Sequence, residues 1–263
     1  MRKHLWWIIG ALLLFSITVI SWKPTSAIKK DKITAKTLGA KEYFAQYVAN
    51  IYTSANLQQT GMDVAVFQKA ITGYLNLKLA NKLAPNSNII TVVDFNKSSR
   101  EKRMWVIDVL NKTLVLNTWV AHGQGSGDDM ASRFSNNNES HQSSLGFYLA
   151  SEVYFGKHGR SLKLDGLDEG VNSAARARGI VIHAADYVCQ NTINQIGRLG
   201  RSFGCPAVSP EVSDQVINTI KGGSMLYING NTSNYTSKLL DETAPANSIN
   251  VPDTTGATTI AKL

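Results

Sequence analysis

Cysteine is scarce: Cys189 and Cys205 are the only two among 263 residues. One bridge is no disulfide scaffold for a chain of this length, so the fold must rest on a hydrophobic core. Close pairs of metal ligands are missing too. There is no H-x-x-x-H and no C-x-x-C, the usual anchors of a zinc site, although His183, Cys189 and Cys205 with His122, His141 or His158 would supply enough ligands. No internal repeat is visible and no nucleic-acid-binding module, and nothing implies a cofactor. Acidic residues are outnumbered 19 to 27 by Lys and Arg, giving a formal charge of +8. Three of those basic residues and none of the acidic ones lie in residues 1–27, which leaves the remainder at +5. A surface of that sign suits an anionic envelope polymer. What is present is an ordinary globular composition, 43% hydrophobic, enough for one large domain or a domain with a small helical accessory.

One long apolar run occurs. Arg2 and Lys3 precede 18 uncharged residues from Leu5 to Trp22, and "KPTSA" follows, with Thr25 and Ala27 where a signal peptidase requires small side chains. The run is long for a signal sequence and just long enough to span a bilayer. Residues 1–27 therefore read as a signal peptide or an N-terminal membrane anchor. In both cases the rest of the chain is exported, to the periplasm or cell envelope.

Residues 28–40 are polar and basic, a linker. In "KEYFAQYVANIYTSA" the residues Phe44, Tyr47, Val48, Ile51, Tyr52 and Ala55 recur at helical spacing. A second helix begins near Asp63, with Phe67, Ala70, Ile71, Tyr74 and Leu75 on one face, and 41–87 becomes a helical accessory segment. From residue 89 the period drops to two. "NIITVVDF" predicts a strand, and "RMWVIDVL" and "TLVLNTWVAH" predict a hairpin around Asn111-Lys112. The Gly-, Ser- and Asn-rich stretch 124–143 is a loop. "SLGFYLASEVYF" and "SLKL" give two strands around "FGKHGR", and Gly179 to Ile182 is a buried strand ending on His183. Ser209-Pro210-Glu211 starts a helix that runs to about Ile220, and "SMLYING" closes the domain, 88–230. Residues 231–263 show little apolar periodicity and are expected to be a disordered tail. The fold class is mainly β, preceded by a small helical pair.

"GRLGRSFGCPAVSP" carries the candidate chemistry. A nucleophilic cysteine must be a thiolate, and an imidazole, a helix N-terminus or nearby arginines favour that form. Arg198 and Arg201 precede Cys205, a helix starts four residues after it, and His183 ends a strand, a rigid place for a general base. Gly204 leaves room for a carbonyl to approach the backbone N–H groups of Gly204 and Cys205 as an oxyanion hole.

"IHAADYV" followed by "RSFGCPAV", 22 residues from His to Cys, resembles the signature of the murein L,D-transpeptidases. "VVDF", "VAHGQGSG", "FSNN", "SSLGFY", "GKHGRSLKLDGL" and "GVNSAARARGIVIHAADYV" extend the resemblance to about residues 62–229. It implies an L,D-transpeptidase-type β-sandwich catalytic domain. It implies that Cys205 attacks the L-centre carbonyl of a diamino acid at position three of a peptidoglycan stem peptide and expels the terminal D-alanine. The thioester would then pass to a neighbouring stem's side-chain amine, a 3→3 cross-link. His183 would move the proton, oriented by the backbone carbonyl of Ala184 in place of a carboxylate, with Asp186 a weaker alternative. Two positions depart from the broader family, which often has His two residues before the cysteine and Arg two after; this chain has Phe203 and Ala207. Arg201, Arg198 and Ser202 are then expected to bind the stem, with His122 near the groove.

Other readings stay open on the sequence alone. A Cys189–Cys205 disulfide would turn the motif into part of an envelope-binding module. Water as acceptor would make the chain an L,D-carboxypeptidase.

Overall fold

The computed structural model describes residues 39–232 and 235–249. The expected leader, most of the linker and the end of the tail lie outside them. Helix α1, Ala40–Ser54, buries Phe44, Val48 and Ile51, the stripe its spacing predicts. Helix α2, Val64–Leu79, starts where Asp63 Oδ1 accepts from the N–H groups of Ala65 and Val66, a side-chain cap on two otherwise unpaired donors. Among the described residues no helix is long and apolar enough to cross a membrane.

Eight strands follow. They are β1 Ile89–Asp94, β2 Met104–Asp108, β3 Thr113–Thr118, β4 Gly146–Gly156, β5 Gly159–Gly166, β6 Val181–Ala184, β7 Ala207–Val208 and β8 Ser224–Asn229. Helix α3, Gln190–Ile196, stands between β6 and β7, and α4, Pro210–Ile220, between β7 and β8. Hydrogen bonds join all eight strands in the order β3-β2-β1-β8-β4-β5-β6-β7. The last strand therefore enters the middle, parallel to β1 and antiparallel to β4.

Both faces of this sheet are covered, so its central strands are apolar at successive positions. On one face Ile90, Val92, Trp105, Ile107, Phe147, Met225 and Tyr227 pack with Phe44, Phe67 and Ile71 of the helical pair. On the other, Val93, Met104, Val106, Tyr148, Leu226 and Ile228 meet Val216, Ile217 and Ile220 of α4. The helical pair thus shares one core with the sheet. Contact is close at Gly73, where a Cβ would lie 2.0 Å from the Phe147 ring. Helix α4 begins after Ser209 with Pro210 at its first position, although the Ser209 side chain makes no capping bond.

The tail differs from its expected disorder in part. Residues 238–240 form a 3-10 turn and Thr243–Ser248 form a short helix, α5. Leu239, Leu240, Ala246 and Ile249 pack on the helical-pair cluster. Asn76 donates to the carbonyls of Leu239 and Asp241, and Tyr235 and Ser237 donate to the buried Asp168. Four apolar residues scattered among polar ones show no period, yet they suffice when a preformed groove receives them.

Candidate active site

The short strands β6 and β7 bring the two principal residues together. Their parallel register sets His183 beside Ala207, two residues after Cys205. The turn before β7 carries Cys205 back toward β6, and both Cys205 and His183 line one pocket. On its other flank β6 pairs with β5, His183 opposite Ser161. The imidazole is held between two strands and is buried.

Its Nδ1 lies 2.8 Å from the carbonyl oxygen of Ala184. A carbonyl only accepts, so Nδ1 carries the proton and Nε2 is left with a lone pair. Burial pulls the His183 pKa below the ordinary imidazole value, against the Ala184 carbonyl, which raises it, and with His158, which lowers it further. The His158 ring stacks on His183 with centroids 4.3 Å apart. Asp186 is exposed in the turn after β6 and is not needed to orient the ring.

Cys205 is partly exposed and free, as is Cys189. Cys189 stands at the start of α3, its Sγ 3.3 Å from Thr192 Oγ1. The Cys205 thiol donates to the Gly179 carbonyl at 3.6 Å. Loss of hydration raises its pKa above the ordinary thiol value; the Val181 backbone N–H and the charge of Arg178 work in the opposite direction. Lys157, His158, His183, Tyr187, Arg201, Ser202, Phe203 and Cys205 line one pocket of about 310 Å³. A larger cleft of about 850 Å³, between the end of α2, the end of β5 and residues 236–239, is lined by neither Cys nor His.

The loop before Cys205 is fixed largely by backbone. Ser202 N–H donates to the His122 carbonyl and Gln124 N–H to the Ser202 carbonyl, while Ser143 Oγ donates to the Gly204 carbonyl. Ser202 Oγ donates to the Cys205 carbonyl at 2.6 Å and accepts from Gly204 N–H at 3.1 Å. Ser202 is thereby a brace of the turn. Of the two oxyanion donors expected, the Gly204 N–H is engaged by Ser202, and the Cys205 N–H makes no hydrogen bond among the described residues. Gly204 itself has φ +123°, and a Cβ there would lie 2.8 Å from the Gln142 carbonyl.

Two expected binding residues lie away from the pocket, and a third lines it with its guanidinium already engaged. His122 is 1% exposed, wedged under Phe95 with Nδ1 accepting from Arg103 at 2.8 Å, and does not reach the pocket. Its motif contributes backbone hydrogen bonds to the loop before Cys205, and its imidazole fills the interior. Arg198 donates to the Leu199 carbonyl, lies near Asp128 and does not line the pocket. Arg201 does line it, but its guanidinium is committed to Asp128 and to the Gly127 carbonyl.

Sequence reasoning missed Arg178, Tyr187 and Lys157. Arg178 donates to the carbonyls of Ser135 and Gln142 and to the hydroxyls of Ser140 and Ser144, clamping the 135–144 loop beside Cys205. The only signal was its place five residues before His183.

A family model described as the L,D-transpeptidase catalytic domain matches residues 58–229. A comparison with curated proteins finds no match. Among solved structures, an L,D-transpeptidase from Mycobacterium smegmatis is 11% identical over 54% of this chain and 59% of its own, with a TM-score of 0.34. One from Mycobacterium tuberculosis H37Rv is 13% identical over 54% and 58%, with a TM-score of 0.33. One from Stackebrandtia nassauensis is 11% identical over 72% and 78%, with a TM-score of 0.35. The chain thus spans about three fifths of the length of the first two.

Proposed function

This chain belongs to the family of L,D-transpeptidase catalytic domains, and from that premise we propose that it is an exported cell-wall enzyme that cross-links peptidoglycan stem peptides through a thioester on Cys205. The observation that carries the reading is one pocket shared by Cys205 and His183, with the imidazole tautomer set by the Ala184 carbonyl. The apolar leader in residues 1–27 supports an envelope location, and the excess of basic residues suits an anionic polymer.

In the proposed reaction the thiol turns from the Gly179 carbonyl toward Nε2 of His183, which takes its proton. Sulfur adds to the L-centre carbonyl of the third stem residue, and the Cys205 N–H receives the developing oxyanion. The tetrahedral species collapses with cleavage of the C–N bond, and the D-alanine amine leaves with the proton held by His183. A side-chain amine of a second stem then attacks the thioester, gives up a proton through His183, and releases the thiol with a 3→3 cross-link formed. The neutral resting imidazole, kept so by burial, suits the base role.

Intact-protein mass spectrometry after incubation with a disaccharide-tetrapeptide tests this. The expected result is a covalent adduct of the substrate less D-alanine, absent in Cys205→Ala and reduced in His183→Ala. Adding a second stem should discharge it as a dimer. Release of tripeptide alone would make the chain a carboxypeptidase, and no adduct at all would sink the proposal.

A further inference from the structure

We infer that the turn Lys157-His158 is the subsite for the C-terminal carboxylate of the residue that leaves. The inference rests on the transpeptidase reading above and adds the group that reads the donor's end.

The pocket around Cys205 is lined by Lys157, His158 and Arg201 and by no Asp or Glu. Arg201 is already paired with Asp128. Lys157 is exposed and makes no ion pair or hydrogen bond among the described residues, so its charge is available to a ligand. The turn holding it is short and pinned, because β4 and β5 pair up to Gly156 opposite Gly159 and only residues 157 and 158 lie between. The stack of His158 on His183 ties this turn to the general base.

Chemistry supplies the direction. The leaving amine must receive its proton from His183 Nε2, so its nitrogen comes within hydrogen-bond reach of that atom. In a C-terminal residue the carboxylate carbon is two bonds from that nitrogen, about 2.5 Å away by standard backbone geometry. The carboxylate therefore arrives within a few ångströms of the imidazole, on which His158 is stacked, in the pocket that Lys157 also lines. A donor longer by one residue would present an amide there and leave the ammonium without an anion.

The test compares two donors on the full chain, a disaccharide-tetrapeptide with a free C-terminus and the same compound as its C-terminal carboxamide. Wild type is expected to favour the free acid about tenfold in kcat/KM, mostly through KM, the scale of one charge-assisted contact. Lys157→Met should raise KM for the acid and leave the carboxamide unaffected, and Lys157→Arg should restore the preference. An unchanged melting temperature for Lys157→Met would show that the turn still folds. If Lys157→Met keeps the acid preference, or weakens both donors equally, the subsite is overturned while the enzyme reading survives. If wild type forms no thioester from either donor, both fall.

Discussion

The proton of the Cys205 thiol is directed at the carbonyl of Gly179, 3.6 Å away, and not at the imidazole of His183. Burial favours the neutral thiol and the neutral imidazole alike. Alkylation by iodoacetamide follows the thiolate fraction. In a Cys189→Ser background, which removes the second thiol, the rate at Cys205 should climb through a midpoint above that of a free cysteine. A plateau already present at pH 5–7 would mean a preformed thiolate–imidazolium pair, and the neutral reading would be withdrawn.

Arg178 joins two jobs that substitution separates. Its fork clamps the 135–144 loop, and its charge opposes the raised Cys205 pKa. Arg178→Lys keeps a charge but not the planar fork, while Arg178→Met loses both. Both should lower the stability, by about 1–3 kcal/mol for the unpaired loop acceptors, read from urea unfolding. Only Arg178→Met should move the alkylation midpoint further up.

His122 is expected to make the protein acid-sensitive. Burial and the adjacent Arg103 push its pKa from 6.5 down to about 4. Between those values the unfolded chain binds the proton and the folded one does not, so stability falls as pH drops through that window. The gap is worth about 3 kcal/mol, fully lost below pH 4. Urea titrations at pH 7 and 4.5 should show this slope in wild type and a flatter one in His122→Gln, which retains an acceptor for Arg103.

The ordered part of the tail is expected to be a working part of the core. Asp168 is 5% exposed and accepts from the Phe147 N–H, Tyr235 and Ser237. Tyr235→Phe should cost about 1–2 kcal/mol in urea unfolding. Deleting residues 232–263 should cost more than that, because it removes two donors to Asp168 and uncovers apolar groups of α1 and α2. A deletion with wild-type stability would refute this account.

Much of the fold was legible in local pattern. Helical spacing found α1 and α2, because Phe44, Val48 and Ile51 or Phe67, Ala70 and Ile71 fall on one face. Alternation found β1 to β3, and Ser209-Pro210 marked the start of α4. The tail escaped because Leu239, Leu240, Ala246 and Ile249 have no period of their own. In the site, the motif around Cys205 and His183 was visible, yet the motif containing His122 was misread, since a backbone contribution leaves no mark on side-chain chemistry.

By itself the sequence determined the elements and the residue types available for chemistry, because propensity, period and motif are properties of neighbours in the chain. Tertiary structure alone decided which of them meet. The parallel register of β6 and β7 set His183 beside Ala207 and brought Cys205 to the same pocket, and the β4–β5 turn placed Lys157 and His158 there too. Packing also decided which charges stay available: Arg201 found Asp128, 73 residues away, whereas Lys157 found no partner among the described residues. A side chain's partner depends on distances through space, and a chain of letters does not carry those distances until the core has closed.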